Sequence, residues 1–333
     1  MGFDADTQQG VLLTWVFGTL AISLMTLRLI MRTIRERSWN LSDYLTAFAI
    51  VLMLARSLLT HYVLTLGDNQ HLAEKLGPDY AETITTAEMN RRMLGAKLSL
   101  PNRAVYNTYI WTQKGVVLLL TERLLAGLPR TVYVIRCYWV VLLVTLLAVQ
   151  ITSLSECHPF HLYWQIIPDP GTCSETSMLL YVLTATNITT DLMLIALPMP
   201  YLFRVKRSLF QKIQLIALFS IGFTLVVIAI LRLPIYGDGE PADRNAVGSV
   251  EGFLASVVAN VPTLVTLRRK KLEPVYDLEG IQTIGSKSTS DNRKDSFHRI
   301  SSSDEGITVT REYDVVHLNN MEPGDEHIPQ KSG

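Results

Sequence analysis

Long apolar runs separated by short polar joints make up most of this 333-residue chain, and the last of them ends near Leu267. A helix needs about 20 mostly apolar residues to cross the ~30 Å hydrocarbon core of a bilayer, where the backbone finds no hydrogen-bond partner outside its own helix. Hydrophobic residues account for 48% of the chain and the net charge is zero, so composition excludes the basic surface typical of a nucleic-acid-binding protein. The pattern therefore predicts an all-α membrane protein whose main partner is the lipid bilayer.

We predict a bundle of seven transmembrane helices, of which the third is the weakest because Lys114, Glu122 and Arg123 interrupt it. The predicted spans are residues 11–31, 43–66, 108–128, 132–152, 178–201, 213–235 and 247–267. Segment 1–10 is expected to lie outside, and segment 268–333, which is rich in Ser, Thr and charged residues, is expected to be a disordered cytoplasmic tail.

The distribution of Lys and Arg sets the predicted orientation, because basic residues favour the cytoplasmic side. Most of them fall on the inner side if the N-terminus is outside and the C-terminus is cytoplasmic. The first span has no basic segment before it, so we interpret it as an uncleaved membrane helix. In the long outer loop 67–106 the middle has helix-forming composition, which predicts one short helix across the outer mouth, with a partly ordered loop as the alternative.

Two of the three cysteines, Cys157 and Cys173, fall in the predicted outer loop between spans four and five. Disulfides persist on that side of a membrane, so the sequence favours a bridge between them over two free thiols. Cys137 lies near the inner end of span four, where we expect a buried, inert thiol, with palmitoylation as the lesser alternative.

Several motifs in order along the chain resemble those of one family. The motif CHPFHLYW followed by Cys173 looks like its outer loop, and WNLSDY opens span two where the family usually has Trp and then paired acids. Here Ser42 takes the place of one acid and only Asp43 is acidic. Further matches are Lys114, Asn187, Asp191, Pro198, Pro200, Glu251, Asn260 and Pro262.

This ordered set resembles the fungal rhodopsin-domain integral membrane proteins, which include satratoxin-biosynthesis-cluster-type and receptor-like proteins. The resemblance covers about residues 10–270. It implies seven helices, residence in the plasma membrane or an endomembrane, and no single biochemical activity. A retinal protein of rhodopsin type ordinarily carries its Schiff-base lysine in the last helix, and residues 247–267 contain no Lys, so we expect no retinal and no other cofactor.

Polar and ionisable residues inside spans are costly, and they therefore mark candidate sites. The ligand-binding candidates are Arg56, His61, Lys114, Asn187, Asp191, Arg232 and Glu251. Asn187 and Asp191 are one helical turn apart and should share a face, and we place Asp191 in the inner half of span five. Lys114 is expected in the outer half.

Two hypotheses cover these candidates. In the functional one, an outward-facing pocket takes a small anionic or polar organic ligand, Arg56 and Lys114 attract it, and Glu251 holds Arg232 in place. In the structural one, Glu251 pairs with Arg232 or Lys114, and Arg56 reaches toward the interface or bonds backbone carbonyls.

The resulting functional prediction is a receptor-like protein that binds a small ligand from the outer side and signals to a cytoplasmic partner through its inner loops and tail. The first alternative is a membrane enzyme or accessory protein of secondary metabolism, with Lys114 and Glu251 as acid–base candidates. The second is a proton or solute transporter. Many transporters are built from internal repeats, and the absence of such a repeat in this sequence argues against this alternative. The sequence contains no metal-ligand spacing.

Overall fold

The computed structural model describes residues 5–35, 38–67, 84–125, 131–168, 177–199, 227 and 241–269. The described residues form α-helices and one short 3-10 helix, and no β-strand occurs among them. The α-helices are α1 Ala5–Arg35, α2 Leu41–Leu66, α3 Thr86–Leu124, α4 Thr131–Ser155, α5 Ser177–Ala196 and α6 Pro241–Arg269. The 3-10 helix, Phe160–Trp164, lies between α4 and α5.

Five of these helices, all except α3, are long and apolar enough to cross a membrane. They correspond to predicted spans one, two, four, five and seven, so the prediction of an all-α membrane protein is confirmed. Predicted span six, 213–235, lies outside the described residues apart from the helical Val227. The count of seven spans and the N-out orientation stay predictions, and residues 270–333 of the tail are outside the described part of the chain. Helix α1 begins at Ala5, within the segment that was expected to precede the first span.

Helix α3 occupies the centre of the described bundle, where it packs against α2, α4, α5 and α6. Between residues 106 and 118, Thr108 and Thr112 alone are not fully buried. A helix that faces protein on every side does not need the apolar surface that lipid demands. This explains why predicted span three is the least apolar of the helices and yet lies at the core.

The outer part of α3 replaces the separate short helix that was predicted in the 67–106 loop, so that prediction is wrong. Its 39 residues would measure ~58 Å at ~1.5 Å per residue, about twice the hydrocarbon thickness. The helix continues through Pro101, and Gly95 packs directly on the end of α2. A Cβ added at Gly95 would lie 1.8 Å from the carbonyl oxygen of Gly67, so only glycine allows this close approach.

The loop between α4 and α5 packs on this outer extension of α3. Buried Ile166 contacts Met89 and Met93 of α3. Glu156, directly after α4, accepts a hydrogen bond from the backbone N–H of Leu179 at 2.5 Å, which joins the end of α4 to the start of α5. Burial raises the pKa of the Glu156 carboxyl, while the hydrogen bond from Leu179 opposes that rise.

The predictions for the three cysteines have different outcomes. Cys157 is fully buried, whereas Cys173 lies outside the described residues, so the disulfide between them stays a prediction. Cys137 is free and exposed, which contradicts the expectation of a buried thiol. The reason is the position of α4 at the edge of the described bundle. Only 17% of its most apolar stretch is buried, so most of its surface faces outward.

Candidate functional site

A cavity of about 40 Å³ lies where α3, α5 and α6 meet. Apolar side chains form much of its wall, including Ile110, Leu194 and Ala255. Five polar or charged residues share that wall, namely Gln113, Lys114, Asn187, Asp191 and Glu251. Each of the five is less than one-tenth exposed, so the cavity is a polar site within the membrane-spanning part of the protein.

Lys114 of α3 forms a buried salt bridge with Asp191 of α5. Its Nζ also donates a hydrogen bond to the backbone oxygen of Asn187 at 3.0 Å. Asn187 and Asp191 both line the cavity, so the prediction that they share a helical face is confirmed. Asp191 was expected in the inner half of the membrane and Lys114 in the outer half, but the salt bridge puts the two side chains at the same level, so that expectation is wrong. Helix α3 ends at Leu124, so Lys114 lies ~15 Å along the axis from that end of the helix.

Glu251 of α6 is held by both neighbouring helices. Its Oε1 accepts a hydrogen bond from Asn187 Nδ2 at 2.9 Å, and its Oε2 accepts one from the Tyr106 hydroxyl. The structural hypothesis had named Lys114 or Arg232 as its partner. Lys114 is paired with Asp191 instead, and Arg232 lies outside the described residues.

Arg56 of α2 lies on the other side of this network. Its guanidinium carbon is 4.5 Å from the centroid of the Tyr106 ring, a distance typical of a cation–π contact. Its Nη1 also lies within 3.5 Å of the Ser249 hydroxyl on α6. A chain of polar contacts therefore runs from Arg56 through Tyr106 and Glu251 to Asn187, and it links four helices.

His61 does not belong to this network. It is half-buried, its ring packs edge-on against Trp15 with 6.3 Å between centroids, and it is not among the residues that line the cavity. The structure thus brings together Arg56, Lys114, Asn187, Asp191 and Glu251 from the predicted set. Within the described part of the chain, no group of three or more His, Cys, Asp or Glu side chains is placed to hold a metal ion.

The family assignment rests on a comparison with known protein families. A family model described as the fungal rhodopsin domain matches residues 27–269, well over half of the chain. The chain belongs to the fungal rhodopsin domain family. This confirms the resemblance drawn from the ordered motifs and, together with the apolar helices, identifies an integral membrane protein. No curated protein and no solved structure matches the chain.

Sequence reasoning did not identify two residues of the site, Tyr106, which donates to Glu251, and Gln113, which lines the cavity. Tyr106 precedes Ile110 and Lys114 by four and eight residues, which is the spacing of one helical face. That spacing would have placed the Tyr106 hydroxyl beside the charged residues. It was missed because predicted span three began at residue 108.

A second buried polar group lies at the predicted inner end of the domain, and we call it the inner cluster. It comprises Arg28, Arg32, Ser42, Asp43 and Asn260, all of them 6% exposed or less. Arg28 Nη1 donates to Asn260 Oδ1 at 2.8 Å, and its Nη2 donates to the Ser42 hydroxyl. The Arg28 Nη2 atom is 3.8 Å from one Asp43 oxygen, and Arg32 Nε is 3.3 Å from the other.

Asp43 has a structural role besides these ion pairs, because it also accepts a hydrogen bond from the backbone N–H of Asn40 at 3.0 Å. This bond belongs to the capping box that starts α2. The inner cluster therefore joins α1 to the start of α2 through the Asp43 carboxylate, and it joins α1 to α6 through the Arg28–Asn260 hydrogen bond. Sequence reasoning overlooked Arg28, although an arginine in an otherwise apolar span is the signal that should have identified it.

Proposed function

We propose that this fungal rhodopsin-domain protein is receptor-like and binds a small polar ligand in the cavity between α3, α5 and α6. The observation that carries the proposal is the wall of the cavity, where a buried Lys114–Asp191 pair and Glu251 meet two buried amides. Small-molecule sites are mostly apolar with a few convergent polar groups, and this wall has that composition. The proposal includes seven helices, an outer N-terminus and a Cys157–Cys173 bridge in the outer loop.

The connection between the cavity and the inner cluster supports a receptor-like role. Helix α6 carries Glu251 in the cavity wall and, nine residues later, Asn260, which accepts the hydrogen bond from Arg28. Because one helix bears both contacts, a ligand that shifts Glu251 also strains the Arg28–Asn260 bond. A ligand that binds one arrangement of α6 more tightly would shift the population toward that arrangement. The loops at the predicted inner end would then present a changed surface to a cytoplasmic partner.

The enzyme alternative has less support from the same contacts. Both carboxylate oxygens of Glu251 accept hydrogen bonds, and Lys114 Nζ is engaged by Asp191 and by a backbone oxygen. Groups satisfied in this way are arranged to hold positions in a network. A general acid or base instead needs a free path to the proton that it transfers.

A ligand screen tests the proposal. The full-length protein in lipid nanodiscs would be mixed with small water-soluble organic compounds while its thermal unfolding is followed. The same screen would use the double variant Lys114→Met/Asp191→Leu, which removes both charges together and so leaves neither one unpaired. At a concentration 100 times its Kd, a ligand stabilises the protein by about 2.7 kcal/mol.

We expect at least one compound to raise the unfolding temperature of the wild type and to leave the double variant unchanged. The exposed Lys97→Met serves as the matched control, and it should respond like the wild type. Equal shifts in the wild type and the double variant would place the binding elsewhere, and a screen with no shift at all would remove the support for a ligand cavity.

A further inference from the structure

We propose that the ligand group bound in this cavity is a primary ammonium, carried by a small water-soluble amine. This inference rests on the proposed ligand cavity and specifies its chemistry. The cavity wall carries more hydrogen-bond acceptors than donors among the described residues, and its charged groups are one cation and two carboxylates.

Two buried amide oxygens of wall residues, Gln113 Oε1 and Asn187 Oδ1, have no hydrogen-bond partner among the residues that the structure describes. Gln113 is 2% exposed and Asn187 is 5% exposed, so bulk water does not satisfy these oxygens. Buried polar atoms in native proteins are almost always hydrogen-bonded, and exceptions frequently mark a site for water, an ion or a ligand. Because both residues line the cavity, a ligand that brings N–H donors there can supply the hydrogen bonds that these oxygens lack.

The nitrogens of the same two amides are already committed. Asn187 Nδ2 donates to Glu251 Oε1 at 2.9 Å, and Gln113 Nε2 donates to the sulfur of Met25 at 3.2 Å. Neither amide can turn its nitrogen toward the cavity without breaking one of these contacts. Each nitrogen therefore has one of its two N–H groups in use, whereas neither oxygen has a partner among the described residues, so the oxygens are the atoms of these amides in greatest need of one.

The charged residues point in the same direction. The positive charge of Lys114 is matched by Asp191, which is bonded through Oδ1. A carboxylate has about four lone-pair sites, so Asp191 can accept further hydrogen bonds. Glu251 adds a second carboxylate to the wall, while Arg56 packs on the Tyr106 ring and is not among the lining residues. A cationic ligand thus meets more opposite charge here than an anionic one.

The size of the cavity restricts the ligand. A volume of about 40 Å³ holds about three water-sized groups, at ~10–15 Å³ for each. A primary ammonium brings three donors and no acceptor, whereas a hydroxyl brings one donor and two acceptor lone pairs. Its three donors equal in number the acceptors offered by the Gln113 oxygen, the Asn187 oxygen and the Asp191 carboxylate. Charge-assisted bonds of this kind are stronger than neutral ones.

The test uses methylammonium chloride with the full-length protein in nanodiscs, at constant ionic strength. Thermal unfolding would be followed in three parallel series at matched ionic strength, with methylammonium, with tetramethylammonium, which has the same charge but no N–H donor, and with sodium chloride. We expect a saturable rise in unfolding temperature with methylammonium alone. Gln113→Met removes one acceptor and should weaken the apparent Kd about tenfold, whereas Gln113→Glu adds a carboxylate and should tighten it about tenfold.

Three outcomes would overturn the inference: an equal rise with tetramethylammonium, an equal rise with sodium chloride, or an unchanged Kd in Gln113→Met. These failures are distinguishable from failure of the proposed function. If methylammonium has no effect but another compound stabilises the wild type and not Lys114→Met/Asp191→Leu, the ligand cavity stands and the ammonium does not. If Gln113→Glu fails to fold, the Gln113→Met titration still decides the question.

Discussion

Replacing Asp191 with Leu should destabilise the protein by about 3–5 kcal/mol, because it leaves the Lys114 ammonium buried without its opposite charge. Lys114→Met should cost a similar amount, since Asp191 then becomes the unpaired charge. The double variant Lys114→Met/Asp191→Leu should recover most of the loss, because apolar residues can replace a buried ion pair at little cost. Unfolding free energies of all four proteins in one detergent would measure this cycle.

The recovery in the double variant is the informative quantity. A coupling energy is well defined when two residues are in direct contact, and this pair satisfies that condition. If the double variant loses as much unfolding free energy as the two single variants added together, Lys114 and Asp191 are not paired in the folded protein. Lys97 is exposed and its ammonium lies 5.4 Å from the Trp164 ring centroid, so Lys97→Met should change stability by no more than about 1 kcal/mol.

The second large effect is expected at Asp43 in the inner cluster. Asp43→Leu removes the one described carboxylate that faces both Arg28 and Arg32, and it also removes the hydrogen bond to the Asn40 backbone. Unpaired buried charge accounts for about 3–5 kcal/mol of the expected loss, and the lost cap for about 1 kcal/mol. Thermal or chemical unfolding in the same detergent would measure it.

Asp43→Asn separates the two contributions, because an amide oxygen can still accept the bond from Asn40 while the negative charge is gone. It should therefore show most of the loss of Asp43→Leu. Glu122→Gln is the matched control, because Glu122 is a half-buried carboxylate in the last turn of α3 and is not part of the inner cluster. If Asp43→Asn is as stable as wild type, charge does not hold the inner cluster together.

Local periodicity carries the parts of the structure that the sequence predicted well. The apolar runs predicted α1, α2, α4, α5 and α6, because each of these helices contains a stretch that is long and apolar enough to cross a membrane. The spacing of Asn187 and Asp191 predicted their common face, because the residues that share a face are set by the geometry of a single helix.

Partners on different helices could not be predicted in this way. The Lys114–Asp191 pair depends on how far α3 and α5 are displaced along their axes, and the sequence of either helix does not contain that displacement. The Arg28–Asn260 bond joins residues 232 positions apart. The continuous α3 was missed because its outer part packs on α2 where Gly95 meets Gly67. That contact is between two helices, so the sequence of α3 alone does not contain it.

The central claim is that occupation of the cavity moves the helix ends near the inner cluster. The direct test is the distance between spin labels at the ends of α3 and α6, placed by Glu122→Cys and Arg268→Cys in a Cys137→Ser background. A compound that stabilises the wild type in the screen should shift this distance distribution, and it should not do so in Lys114→Met/Asp191→Leu. A compound that binds in the cavity and leaves the distribution unchanged would contradict the receptor-like account.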